Sequence, residues 1–160
     1  LSNQPLSLFV DGPNGDLHLA AGASIAIDQG ASVSNCGDDI DGDTRPIGTS
    51  RDIGADEFVP SLTLQGTPRD QAIALRWTVN TALPATTTWH IDYYTTTNSV
   101  FSITHIPSTT RNHLITNLLN YQPYTVTLNA MLNSNPFLTD TVRVMPTDRF
   151  VYLPLVMRAY

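Results

Sequence analysis

The sequence predicts an all-β protein in two modules, and three observations lead there. The 160 residues contain no lysine and a single glutamate, Glu57, whereas threonine, serine and asparagine are abundant. Lys and Glu favour helices and Thr does not, so this usage biases the chain towards strands and turns. Apolar residues also fall in short runs bounded by Gly, Asp, Asn and Pro, and beyond residue 60 they alternate with period two. Finally, composition changes at Val59-Pro60: residues 1–58 carry ten Asp/Glu against two Arg, and residues 59–160 carry four against six.

These numbers also bound the function. An apolar fraction of 41% is enough for a packed core. The net charge of −6 makes nucleic acid an improbable partner. Opposite signs in the two halves (−8 and +2) instead favour head-to-tail contact between copies, an effect that salt weakens. Without lysine, the exposed edges of any sheet lack their usual gatekeeper. Cys36 stands alone, which excludes an intrachain disulfide and reads as a small buried apolar residue. The chain opens on Leu1 with neither an initiator Met nor a signal peptide, so a processed product or a fragment is expected. No apolar run approaches the roughly 20 residues of a membrane helix.

Residues 1–37 place Leu6-Ser7-Leu8-Phe9-Val10, Leu17-His18-Leu19 and Ile25-Ala26-Ile27 between turn-forming stretches such as Asp11-Gly12-Pro13-Asn14-Gly15-Asp16. Short strands with Gly, Asp and Asn at the corners suit a coil of a β-solenoid. The series continues through Asp39-Ile40-Asp41-Gly42-Asp43-Thr44-Arg45-Pro46 and Asp52-Ile53-Gly54-Ala55-Asp56-Glu57-Phe58. Taken in order, these motifs resemble the closing segment of secreted right-handed parallel β-helix proteins, including bacterial surface proteins. The resemblance covers about the first third of the chain and implies, for residues 1–58, the terminal coils and cap of a parallel β-helix. The preceding rungs, where lyases and hydrolases of that family keep their active sites, are absent from this sequence.

Residues 61–147 give seven alternating runs: Leu62 and Leu64; Ile73, Leu75 and Trp77; Trp89, Ile91 and Tyr93; Val100 to Thr104; Leu114 to Leu118; Tyr124, Val126, Leu128 and Ala130; Val142 and Val144. Period-two alternation with turn signals between the runs predicts an immunoglobulin-like β-sandwich. With Trp77 on the second strand and Leu118 six residues before Tyr124, this part resembles a fibronectin type III domain. The resemblance implies a tyrosine corner at Tyr124, whose phenol closes a turn on the backbone. The aromatics are then core and not a ligand platform.

Residues 148–160 form an apolar tail strand in which Phe150, Tyr152, Leu153 and Leu155 are the candidate contact residues. Pro154 confines such a run to an edge strand or an irregular bulge. It either folds back on its own domain or docks on a neighbouring subunit, and similar tails end some secreted bacterial surface proteins.

Candidate sites are few. Asp39, Asp41 and Asp43, next to Asp38, have the oxygen chemistry calcium requires. The loop departs from the EF-hand template, with Thr44 at position six and Ser50 at position twelve, and Arg45 and Arg51 are alternative partners. Asp56 and Glu57 are adjacent and do not make a glycosidase pair. His18, His90, His105 and His113 lack metal-ligand spacing, and no serine sits in a nucleophile motif. No catalytic residue and no cofactor is therefore assigned. Arg45 and Asp52 are expected to finish the solenoid and aim the chain into the sandwich. The functional expectation is a non-catalytic structural subunit or fragment of an extracellular or cell-surface assembly, such as a filament built by head-to-tail β-strand contacts. It would associate with itself through the solenoid end, a sheet edge or the tail. The alternatives are a spacer or glycan-binding region of a polysaccharide-degrading β-helix enzyme, or an adhesin.

Overall fold

The computed structural model describes residues 6–32, 37–96 and 99–149. Cys36 and the tail residues Phe150, Tyr152, Leu153 and Leu155 lie outside the described residues. The chain divides into two compact units. One is built from residues up to Ser61 together with Val79–Ala82, the other from Leu62–Thr78 and the residues from Leu83 onward.

In the first unit, a 3-10 turn at Leu6–Leu8 leads into β1 (Phe9–Asp11), which pairs antiparallel with β2 (Asp16–Leu19). Parallel neighbours need a crossover of a dozen or more residues. The tight turn through Pro13, closed by Gly15 at φ 87° with its N–H on the Gly12 carbonyl, can only reverse the chain. The parallel coils expected here are accordingly not formed among the described residues. Ile25-Ala26-Ile27 is also a turn and not a strand, with the N–H groups of Ala26 and Ile27 both bonded to the Ala23 carbonyl at 2.8 and 2.9 Å. The small residues from Ala20 to Ser24 and the left-handed Asp28 (φ 58°) favour that compact winding over extension.

The long loop that follows is stitched back onto these turns by isolated backbone bonds. Gly30 N–H reaches Arg51 O at 2.6 Å, Ile53 N–H reaches Ala26 O at 2.9 Å, and Ile40 N–H reaches Ala55 O at 3.0 Å. Gly30 is required at its crossing, because a Cβ there would lie 2.7 Å from the Arg51 carbonyl oxygen. The apolar core of this unit is small. Leu19, Ala23 and Ala26 are buried, with Leu8, Phe9, Ile27 and Phe58 packed around them.

The second unit is a sandwich of two antiparallel sheets. Its strands are β3 (Leu62–Arg69), β4 (Ala72–Val79), β5 (Thr88–Tyr94), β6 (Val100–Pro107), β7 (Asn112–Ile115), β8 (Tyr124–Leu132) and β9 (Asn135–Val144). One sheet has the order β3-β4-β7 and the other β6-β5-β8-β9. Alternation places Ile73, Leu75 and Trp77 of β4 and Trp89 and Ile91 of β5 in the core. From β8 come Val126, Leu128 and Ala130. Trp77 and Trp89 meet edge to face, with ring centroids 5.5 Å apart, as their quadrupoles prefer.

Two of the seven runs differ from the sequence expectation. The fifth ends as a strand at Ile115, and Leu118 instead bonds Gln71 O through its N–H while its side chain is buried. The fourth forms β6, but almost none of it is core: Ile106 is buried, whereas Val100 and Phe101 are 62% and 53% exposed. A strand at the end of a sheet has a neighbour on one side alone, so alternation does not guarantee cover for its apolar face.

Candidate functional site

The chemistry of the chain is concentrated in the loop from Asp38 to Phe58, where carboxylates perform two different tasks. Most of them hold backbone. Asp39 Oδ1 accepts from the N–H groups of Asp41 and Asp43, both at 2.8 Å, and its Oδ2 accepts from Glu57 N–H at 3.0 Å. Partial desolvation works against its ionisation, but the N–H donors of Glu57, Asp43, Asp41 and Gly42 hold its pKa below the ordinary carboxylate value. Asp52 is buried and accepts from Asp28 N–H and Phe58 N–H, both at 2.6 Å. Asp28 Oδ1 takes Ser50 N–H at 3.0 Å. Such a loop has few regular ladders in which to place its donors, and short acidic side chains supply the missing acceptors.

Arg45 is the centre of this arrangement. It is 7% exposed, Glu57 is 2% exposed, and Arg45 Nε donates to Glu57 Oε2 at 2.8 Å. The guanidinium also donates to the carbonyls of Gly54 (3.1 Å), Asp52 (3.0 Å) and Asp56 (3.1 Å). Glu57 accepts further bonds from Ile47 N–H (2.9 Å) and Asp52 N–H (3.1 Å). Burial alone would raise the Glu57 pKa, but the Arg45 hydrogen bond, the two backbone donors and the Arg45 charge hold it below the ordinary value. Arg45 and Asp52, singled out by sequence for the end of the module, are thus buried inside the first unit. Their partner Glu57 was not singled out.

A second group forms beside β2. His18 Nδ1 lies 2.5 Å from Asp16 Oδ1, and its Nε2 lies 2.9 Å from Asp41 Oδ2. The hydrogen bond to Asp16, then that to Asp41, raises the imidazole pKa, and Asp16 is lowered by the same contact. Asp56 is buried, and its Oδ2 accepts Leu19 N–H at 2.6 Å. Ligand atoms of His18, Asp41 and Asp56 lie within 4.8 Å of one another, beside a cavity of about 200 Å³. Among the described residues these three could hold a metal ion, whereas the carboxylates of the triple Asp39, Asp41 and Asp43 are engaged differently. Asp39 is occupied with backbone, and Asp41 turns to His18. One part of this was legible in sequence: Asp16 and His18 are two apart on a strand and share a face. The approach of Asp41 and Asp56, 23 and 38 residues further on, was not.

In the second unit the singled-out residues are structural. Trp77 is 1% exposed, and its indole N–H has no hydrogen-bond partner among the described residues. Tyr124 is buried at the start of β8, and its hydroxyl accepts Leu119 N–H at 3.1 Å. This is the tyrosine corner, closed a few residues upstream as the resemblance implied.

No protein-family model matches the chain, and no curated protein matches its sequence. Among solved structures it is similar to the FN5 domain of Drosophila Lar, at 17% identity and a TM-score of 0.44 over 56% of this chain and 96% of that one. It is also similar to a structure titled as that of a myokine, at 15% identity and a TM-score of 0.44, again over 56% and 96% of the two chains. What makes the second unit fibronectin type III-like is its own geometry: sheets of three and four strands, paired tryptophans in the core and the closed corner at Tyr124.

Tyr94, Tyr121 and Tyr160 are the aromatics that fall off the inward pattern in the sequence. Tyr160 lies outside the described residues, and the structure adds Phe101 and Phe137 to the exposed set. Phe101 stacks on Tyr93 at 5.3 Å, and Tyr121 donates its hydroxyl to Asp148 beneath the Arg149 guanidinium. Among the described residues, no helix is long and apolar enough to cross a membrane.

Proposed function

We propose that the chain is a non-catalytic structural segment of an extracellular or cell-surface assembly, and that it associates with further copies of itself through strand edges. The observation that carries this reading is the outer edge of β6. Among the described residues this strand ends the four-stranded sheet and pairs with β5 alone. Its sequence, Val100-Phe-Ser-Ile-Thr-His-Ile-Pro107, contains no Lys, Arg, Asp or Glu. Protein edges are normally blunted by charge, by proline or by a bulge. Here the irregularity opposite Trp89 to Ile91 and the left-handed His105 (φ 61°) disrupt the second half, while Val100 to Ser102 stays regular, with Val100 and Phe101 exposed. Such an edge is a template for strand addition. In the same reading the first unit, an antiparallel hairpin with a stitched loop and not itself a parallel coil, would serve as a cap on a preceding β-helix. Its contact with a preceding coil would be the open apolar groove of about 300 Å³ lined by Leu8, Phe9, Ile25 and Ile53, where Ile25 and Ile53 are 58% and 54% exposed.

Sedimentation velocity and electron microscopy of the chain test the proposal. Association is expected at micromolar concentration and is expected to weaken at least tenfold in Phe101→Lys, with tryptophan-monitored unfolding showing a cooperative transition lowered by no more than the roughly 1 kcal/mol of the lost Tyr93 stack. A chain that stays monomeric at about 100 μM, or a Phe101→Lys variant that assembles as well as the parent, overturns the role of the β6 edge. Removal of residues 150–160 separates the edge from the tail as the contact surface.

A further inference from the structure

The first unit has a stability problem that its side chains are placed to solve. A segment of about 60 residues is near the lower limit at which a hydrophobic core suffices, and units of this size commonly add a disulfide or a metal. Among the described residues of this unit the buried apolar cluster is Leu19, Ala23 and Ala26, two of them alanine, and the single cysteine of the sequence cannot form an internal disulfide. We propose that His18, Asp41 and Asp56 bind a divalent transition-metal ion, with zinc as the probe, and that this ion ties β2 to the loop from Asp38 to Phe58.

Ligand chemistry and distances both favour this. One imidazole nitrogen with two carboxylates suits zinc and its neighbours, whereas calcium and magnesium take oxygen ligands. An ion with bonds of about 2.1 Å holds neighbouring ligand atoms roughly 3 to 3.4 Å apart. His18 Nε2 and Asp41 Oδ2, at 2.9 Å, are already close to that separation. The three ligand atoms lie within 4.8 Å of one another, so closing the set around an ion needs a movement of roughly 1–2 Å. His18 is also oriented for the task. Its Nδ1 is engaged by Asp16 at 2.5 Å, which leaves Nε2 as the nitrogen that faces Asp41. Metal-binding histidines are typically fixed by a carboxylate on the other ring nitrogen, which also raises the basicity of the ligating one. Asp56 is held in place by Leu19 N–H, which its Oδ2 accepts at 2.6 Å. Ligation needs the free lone pair of Nε2, so zinc binding weakens in acid.

Isothermal calorimetry of the full chain with zinc, at neutral pH, is the test. One zinc per chain is expected. His18→Gln and Asp41→Asn should each weaken it at least tenfold, while His113→Gln and Cys36→Ser leave it unchanged. His18 and Asp41 have half-exposed side chains, so both variants should fold, which circular dichroism checks. Bound zinc should also slow amide exchange in peptides containing His18 and Asp41. Absence of stoichiometric zinc binding up to 1 mM overturns the proposal, as does a His18→Gln chain that binds as tightly as the parent. Calcium binding equal to that of zinc and indifferent to His18→Gln overturns it in favour of an oxygen-only site.

Discussion

Replacing Arg45 with alanine should unfold the first unit and leave the sandwich standing. The substitution removes the donor to Glu57 Oε2 at 2.8 Å and strips a guanidinium donor from the carbonyls of Gly54, Asp52 and Asp56. Glu57, 2% exposed, is left as a buried charge that keeps the backbone donors of Ile47 and Asp52 but loses its guanidinium partner. Breaking a buried pair from one side costs about 3–5 kcal/mol, most of it the penalty of the charge left behind. A core of this size rarely supplies more than about 3–5 kcal/mol in total, so the loss is comparable to the whole stability of the unit.

Tryptophan fluorescence is the wrong probe for this change, since Trp77 and Trp89 both belong to the second unit. Hydrogen exchange read peptide by peptide is the right one: residues 8–30 and 39–58 should lose their protection while β4, β5 and β8 keep theirs. The double variant Arg45→Met/Glu57→Gln removes both charges, and it should lose less than the sum of the single variants by about 1 kcal/mol or more. Protection of residues 39–58 that stays within about 0.5 kcal/mol of the parent in Arg45→Ala would refute the assignment of Arg45 as the keystone of the loop.

Two further outcomes are expected. Glu57 and Asp39 have folded-state pKa values below their ordinary ones, so the stability they contribute is fully present above the ordinary carboxylate value of about 4 and is lost as pH falls through the lower folded value. The first unit should therefore open in acid before the sandwich does, visible as exchange of residues 39–58 below about pH 4 with tryptophan emission still native; simultaneous loss of both signals contradicts this. Tyr124→Phe deletes the acceptor of Leu119 N–H, and because Leu119 is exposed and its N–H can take up water, urea unfolding followed by tryptophan fluorescence should show a loss of about 1 kcal/mol.

How much of this was legible in the sequence depends on how far apart the interacting residues lie. The sandwich was, because strand alternation is written into neighbouring residues. Ile73, Leu75 and Trp77 declare their face without reference to any other strand, and Tyr124 declares its corner through Leu118, six residues away. Even there, the exposure of Val100 and Phe101 needed the sheet order, since residue spacing does not say which strand is last.

The first module was legible only as turns and short apolar clusters. Those clusters are equally compatible with parallel coils and with the antiparallel hairpin and stitched loop that form, and the shortness of the turn around Pro13 and Gly15 decided between them. The aspartates of the loop announced themselves by number, but a carboxylate has the same sequence signature whether it caps a backbone N–H, pairs with an arginine or faces a histidine. By itself the sequence determined an all-β chain with a fibronectin-like second half, because those features rest on contacts between near neighbours and on a single strand's own period. The tertiary structure alone decided that Asp39 would accept the N–H of Glu57, that Glu57 would hold Arg45, and that His18 would meet Asp41 and Asp56, because each of these contacts joins groups between 12 and 38 residues apart.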